Sequence, residues 1–233
     1  MGLLDLFRSE RDDVATTRSA LDAAADPQSD DGAINKLVAT LLNTGLDGVG
    51  PIASATEYAA RASKSAGDAE SAIDKVVRTT TMRGAAGGFV TGLGGFVTMP
   101  IALPVNVLEF YVQATRMVGA IASLRGYDVS DARVRTAVLL TLVGSDADDV
   151  LAKAGLTTGG GRVASMAFKR LPPPALMVVN KAVAFRLLRG VGGKLFSRLG
   201  RGVPVVGGVV GGGLDGWMMR RIAKQAREEF PAL

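Results

Sequence analysis

The chain predicts an all-α fold, a multi-helix bundle that contains two apolar glycine-ladder helices. Three observations support this. Apolar residues recur three and four positions apart, and no stretch alternates as a strand would. The apolar mass is Ala, Val, Leu and Gly: 48% of residues are hydrophobic and only 5% aromatic, which suits close-packed helices. Two glycine series stand at helical spacing, Gly84, Gly88, Gly92 and Gly208, Gly212, Gly216. A four-residue period places each series on one helix face, and a face without side chains lets another helix approach closely. Each glycine costs about 1 kcal/mol relative to alanine inside a helix, so packing, lipid or an apolar ligand must offset that cost.

The chain reads as two parts: an acidic N-terminal segment over 1–31 and a helical domain over 32–233. The first 31 residues hold eight acids and three bases. Their tip carries Leu3, Leu4, Leu6 and Phe7, which would form one apolar patch on two turns of helix. This tip either docks on a protein partner through a mobile acidic tether or is a helix that folds back on the domain. It shows neither a secretory hydrophobic core nor a myristoylation pattern, since Leu6 stands where Ser or Thr is required.

Within the domain, Ile34, Leu37, Val38, Leu41 and Leu42 predict a helix that ends near Gly45. Two Ala-rich helices follow, over about 52–64 and 68–82, and the first ladder occupies 84–99. Residues 84–108 carry no charge, enough length to span a bilayer. Six glycines and the prolines Pro100 and Pro104 make a helix, a turn and a new helix start the better reading. Pro104 then opens a long helix to about Leu124, and Gly126-Tyr127-Asp128 stops it. Ser130 or Asp131 caps the next helix, which ends at Gly144. A short helix follows to Ala154, then a Gly159–Gly161 loop. Pro172-Pro173-Pro174 breaks the chain before a helix to about Leu188. Pro204 introduces the second ladder, on a helix that runs to about Phe230.

Charge is segregated. The chain has a net charge of +5. Between Asp149 and Asp215 there is no acid, while ten bases occur, including Arg186, Arg189, Lys194, Arg198 and Arg201. Such a stretch attracts phosphates. Its bases alternate with Leu, Val and Phe, which fits an anionic membrane surface where stems snorkel and apolar residues dip in. It has few aromatics for base stacking and no nucleic-acid motif, which disfavours nucleic acid.

The absence of His and Cys removes Ser/His and Cys/His nucleophilic catalysis, thiol chemistry and HExxH zinc sites. Asp146, Asp148 and Asp149 read as acids at a helix start beside a Ser145 cap. Ser165 and Lys169 are four apart, not three as in the Ser-x-x-Lys signature. Gly190–Leu195 departs from a P-loop, and Gly92-Leu93-Gly94 departs from a dinucleotide fingerprint. No cofactor or metal is expected, and the chain reads as non-enzymatic. A hydrolase built on Asp or Glu is the remaining enzymatic alternative.

One polar stripe stands out on the long helix: Asn106, Glu109, Gln113 and Arg116, opposite Phe110, Ala114, Met117, Val118 and Ile121. It is either the wet face of an amphipathic helix or a Glu109–Gln113–Arg116 network that lines a cavity.

In order, these pieces resemble the EcsC family of bacterial helical proteins. The matching residues are the Gly-rich apolar hairpin that ends in a Pro-x-x-x-Pro step (87–104), the long helix with Arg116, the Arg125-Gly126-Tyr127-Asp128 run, and Pro204-Val205-Val206-Gly207 before the second ladder. The resemblance covers about 73–230. An acid often lies between the two prolines in that family, and Ile101-Ala102-Leu103 holds none. The resemblance implies a helical fold and a bacterial setting, either cytoplasmic or peripheral on the inner face of the plasma membrane, and no reaction. The expected function is binding of anionic membrane lipid or an apolar small molecule through the ladder hairpins and the basic surface. The alternative is an accessory module of a membrane transporter or assembly that docks through its N-terminal segment.

Overall fold

The computed structural model describes residues 38–93, 95–143, 179, 183 and 204–233, with backbone alone over 87–93, 95–107 and 204–211. The described residues are helical, and the one β feature among them is an isolated bridge between Val49 and Ile52. In chain order come a π-helix Leu41–Asp47, α1 Ala55–Ser63, α2 Ala69–Leu93, α3 Gly95–Leu124, α4 Ala132–Val143 and α5 Pro204–Glu229. The chain is an all-α multi-helix bundle.

The expected stop at Gly45 is not a stop. A helical stretch runs through it as a π-helix and ends at Gly48, whose φ of 76° and crowding by the 52–54 backbone require glycine. Gly45 is instead a contact. A Cβ placed there would meet Thr115 Cβ at 2.7 Å and the Val112 carbonyl at 3.2 Å. α1 starts on a reciprocal capping box: the Glu57 N–H donates to Ser54 Oγ at 3.1 Å, and the Ser54 N–H donates to the Glu57 carboxylate at 3.1 Å.

α2 joins the two segments expected over 68–82 and 84–99 into one helix that ends at Leu93. α3 begins nine residues before Pro104 and runs through both prolines. Proline's own φ is helical, so its penalty falls on the preceding turn alone. α3 ends where expected, in a Schellman motif: Tyr127 N–H donates to the Ala122 carbonyl, Gly126 N–H donates to that of Ser123, each at 3.0 Å, and Gly126 has φ 91°. Asp131, not Ser130, caps α4, accepting from the Arg133 N–H at 2.7 Å; Ser130 bonds Asp128.

α3 lies at the centre and touches every other described helix. Met117, Val118, Ala120, Ile121 and Ala122 are fully buried on it. α4 is buried nearly all round from Val134 to Leu142, and its Thr136 and Thr141 hydroxyls donate to carbonyls four residues back. Val179 and Val183, fully buried, add to the same core.

The most extensive helix contact joins α2 and α5. The two run antiparallel. Gly84 faces the Met219 tip, Gly216 faces Thr81 and Ala85, and Arg227 reaches back to Asp74 and Glu70. Continued by one turn and then two, that register places Gly88 level with Gly212 and Gly92 level with Gly208. At Gly84 and Gly216 side chains fill the contact, since the nearest atoms to an added Cβ lie at 3.4 Å and 3.6 Å. The chain end closes on α3. Phe230 is fully buried edge-on to Tyr127, and the Leu233 N–H donates to the Arg125 carbonyl at 3.1 Å.

Candidate functional site

The polar stripe of α3 leads to the most unusual electrostatics among the described residues. It does not form one network. Gln113 donates its amide N–H to the exposed Glu109 carboxylate at 2.8 Å. Arg116 points elsewhere, with its guanidinium carbon 5.4 Å from the centroid of the Tyr58 ring on α1. Glu109 and Arg116 are two turns apart and share no contact in the structure. Asn106 lies where only backbone is described. A shallow open groove between α1 and the end of α3, lined by residues such as Ala59, Ser63, Asp68 and Ser123, includes none of the stripe.

Tyr58 is held by α2. Its hydroxyl lies 3.1 Å from Thr80 Oγ1 and donates to the Val76 carbonyl at 3.3 Å. α1 and α2 run antiparallel there, since Tyr58 meets Thr80 while Ser65 meets Lys75. Arg61 is three residues past Tyr58 and Arg83 three past Thr80, so each follows its anchor by about one turn. Arg116 alone lies over the Tyr58 ring, and the exposed Arg61 and Arg83 stand near enough for their charges to act on it.

Arg116 is half-buried, and its Nε has no hydrogen-bond partner. Desolvation pushes its pKa below the ordinary value. The Tyr58 side chain opposes that shift, and the charges of Arg83 and Arg61 add to it. No carboxylate among the described residues pairs with Arg61, Arg83 or Arg116. Elsewhere the same bundle pairs its inter-helix arginines: Arg135 with Asp47 at 2.6 Å, and Arg125 with Glu70 at 2.7 Å. A buried charge without a counter-charge is costly.

A second surface lies on the α2–α5 pair. Met82 is 66% exposed, Trp217 57% and Leu214 45%. Met82 and Trp217 each follow by one residue a member of the facing pair Thr81 and Gly216. In antiparallel helices that step turns both toward the same side. Leu214, Trp217 and Arg221 then follow one another at helical spacing along α5, and Arg221 stacks on the Trp217 ring at 5.5 Å.

Of the residues singled out in the sequence, Gly84, Gly212 and Gly216 are buried in helices. Gly88, Gly92 and Gly208 are described as helical backbone. The basic residues Arg186, Arg189, Lys194, Arg198 and Arg201, the apolar tip Leu3, Leu4, Leu6 and Phe7, and the acids Asp146, Asp148 and Asp149 lie outside the described residues. Among the described residues no group of acids could hold a metal ion. No described helix is long and apolar enough to cross a membrane. Tyr58, Arg61, Arg83, Met82 and Trp217 belong to no motif or stripe visible in the sequence. No family model, curated protein or solved structure matches the chain.

Proposed function

We propose that this protein is a non-enzymatic helical module that binds the surface of a membrane, or a single apolar ligand taken from it, through the glycine-ladder pair α2–α5. One observation carries this reading: Met82, Trp217 and Leu214, three large apolar side chains, stand exposed on the helices that hold the two ladders. Tryptophan and methionine suit the boundary between headgroups and acyl chains. Arg78, Arg220 and Arg221 stand on the same two helices and pair with no acid among the described residues, so the surface also offers positive charge to anionic headgroups. The acid-free stretch before α5 would extend that charge. The EcsC-like order of motifs and a place on the inner face of the plasma membrane belong to the same proposal.

Trp217 is the only tryptophan in the chain, so its emission reports on this face alone. Titration with vesicles of mixed phosphatidylglycerol and phosphatidylcholine should shift that emission to the blue, and salt should weaken the effect. A Trp217 spectrum unchanged by both anionic and neutral vesicles would overturn the reading.

A further inference from the structure

We infer that Arg61, Arg83 and Arg116 form a binding site for a phosphate-type oxyanion, with the Tyr58 ring as its floor. This site is distinct from the exposed face of α2–α5 and does not depend on that face touching lipid.

Arg116 is half-buried, its Nε is sealed from solvent without a partner, and it lies against a ring that supplies no full negative charge. A lone exception could be put down to imperfect packing. Here, however, one turn past Tyr58 on α1 and one turn past Thr80 on α2 stand two more arginines, Arg61 and Arg83, whose charges act on Arg116. Three like charges gathered without a carboxylate repel one another, and folding alone gives no reason to collect them. An anion removes that repulsion.

The chemistry narrows the ligand. Arg116 offers its planar fork from a position fixed by stacking, which suits two oxygens of one oxyanion. Arg61 and Arg83, on either side, can reach further oxygens or a second charge. A phosphate monoester presents three terminal oxygens and up to two charges; a carboxylate or a phosphate diester presents two oxygens and one charge. The tyrosine floor is pinned by its hydroxyl to α2, so the ring is held in place before the ligand arrives. Glu57, whose carboxylate accepts from the Ser54 N–H in the capping box, makes no ion pair with any of the three arginines. Glu109 is turned to Gln113.

The phosphate could belong to a lipid headgroup or to a soluble phosphate ester. Arg83 directly follows the exposed Met82, which places the site at the border of the proposed membrane face and makes a headgroup reachable. The test separates the two sources. Inorganic phosphate titrated into the full chain by calorimetry, and phosphatidic acid in phosphatidylcholine nanodiscs captured on a sensor, are the two probes. Binding of either probe is expected, and each single change Arg61→Gln, Arg83→Gln and Arg116→Gln should weaken it about tenfold, the loss of one charged hydrogen bond. Binding of both probes assigns a soluble phosphate ester as sufficient; binding of nanodiscs alone assigns the headgroup.

Arg61 and Arg83 are exposed, so their variants keep the test valid if Arg116→Gln does not fold. Binding of neither probe, or binding of equal strength by the Arg61→Gln/Arg83→Gln double variant, would overturn the site. Retention of the Trp217 shift with loss of phosphate binding would separate this outcome from a failure of the membrane reading.

Discussion

Where the π-helix and α1 meet α3, glycines leave no room for even a methyl group; where α2 meets α5, they leave room for one. An added Cβ on Gly45 would lie 2.7 Å from Thr115 Cβ, on a stiff branched side chain. On Gly119 it would collide with the Leu46 tip and lie 2.9 Å from Ala55 Cβ. On Gly84 and Gly216 the same atom would meet its nearest neighbours at 3.4 Å and 3.6 Å, ordinary contact distances. The isolated glycines are thus the ones that packing demands at these four positions. The conspicuous ladders are, at their described ends, a smooth surface and not a tight joint.

The largest expected effect lies on the tight side. Gly45→Ala should destabilise by about 1–3 kcal/mol, the usual penalty for forcing a methyl group into a filled core. Gly119→Ala should follow closely, since the Leu46 tip can swing away but Ala55 cannot. Urea midpoints measure both. If either variant unfolds at the wild-type midpoint, the contact is looser than described and the contrast fails.

On the ladder side the sign should reverse. Gly84→Ala and Gly216→Ala relieve the backbone freedom of glycine in a helix, which is worth up to about 1 kcal/mol, and meet no collision. Both variants should be as stable as the parent or slightly more so. A clear loss of stability would show that the helices close further than the structure has them, and that the ladder is a tight joint after all.

The same contrast shows what the sequence discloses. Helix ends marked by local chemistry are readable: Pro204 opens α5, Gly126 closes α3, and the α5 pattern runs to its end. Glycines and prolines mislead when tertiary packing overrides them. Gly84 suggests a break between two segments that are one helix, because packing against α5 holds it in place. Pro104 suggests a start for a helix that begins at Gly95. Gly45 suggests a stop where a contact exists. The candidate site was legible only in part. Arg116 stands out on its stripe, but its ring partner lies 58 positions earlier in the chain, and Arg83 sits on a third helix. Nothing local in the sequence links them. The Ser54–Glu57 capping box was the exception, a local signal that periodicity alone passes over.

The smallest expected effect concerns how the tight side is fastened. Arg135 on α4 grips Asp47 at the end of the π-helix with two bonds, at 2.7 Å and 2.6 Å. The hydrogen bond from Arg135 holds the Asp47 carboxyl below its ordinary 3.8, against the opposing effect of burial and with help from the Arg135 charge. The folded pKa is therefore lower than the unfolded one. The contribution to stability is complete above 3.8 and is lost as pH falls through the lower folded value. Asp47 is half exposed, so solvent screening limits the pair to about 1 kcal/mol or less. Asp47→Asn should lower the urea midpoint slightly near neutral pH, and the difference from wild type should vanish below the folded pKa. Asp128 is also lowered, by Ser130, but that bond is internal to one turn. Its loss should cost a local turn without loosening the contact between helices. Amide exchange distinguishes the two: acid should lower the protection of the π-helix and α4, taken relative to the unstructured-peptide rate at each pH, in wild type, while Asp47→Asn should show that lower protection already at neutral pH. Equal protection of the π-helix in both proteins across the acid range would mean that the pair fastens nothing, and that shape alone holds the tight side together.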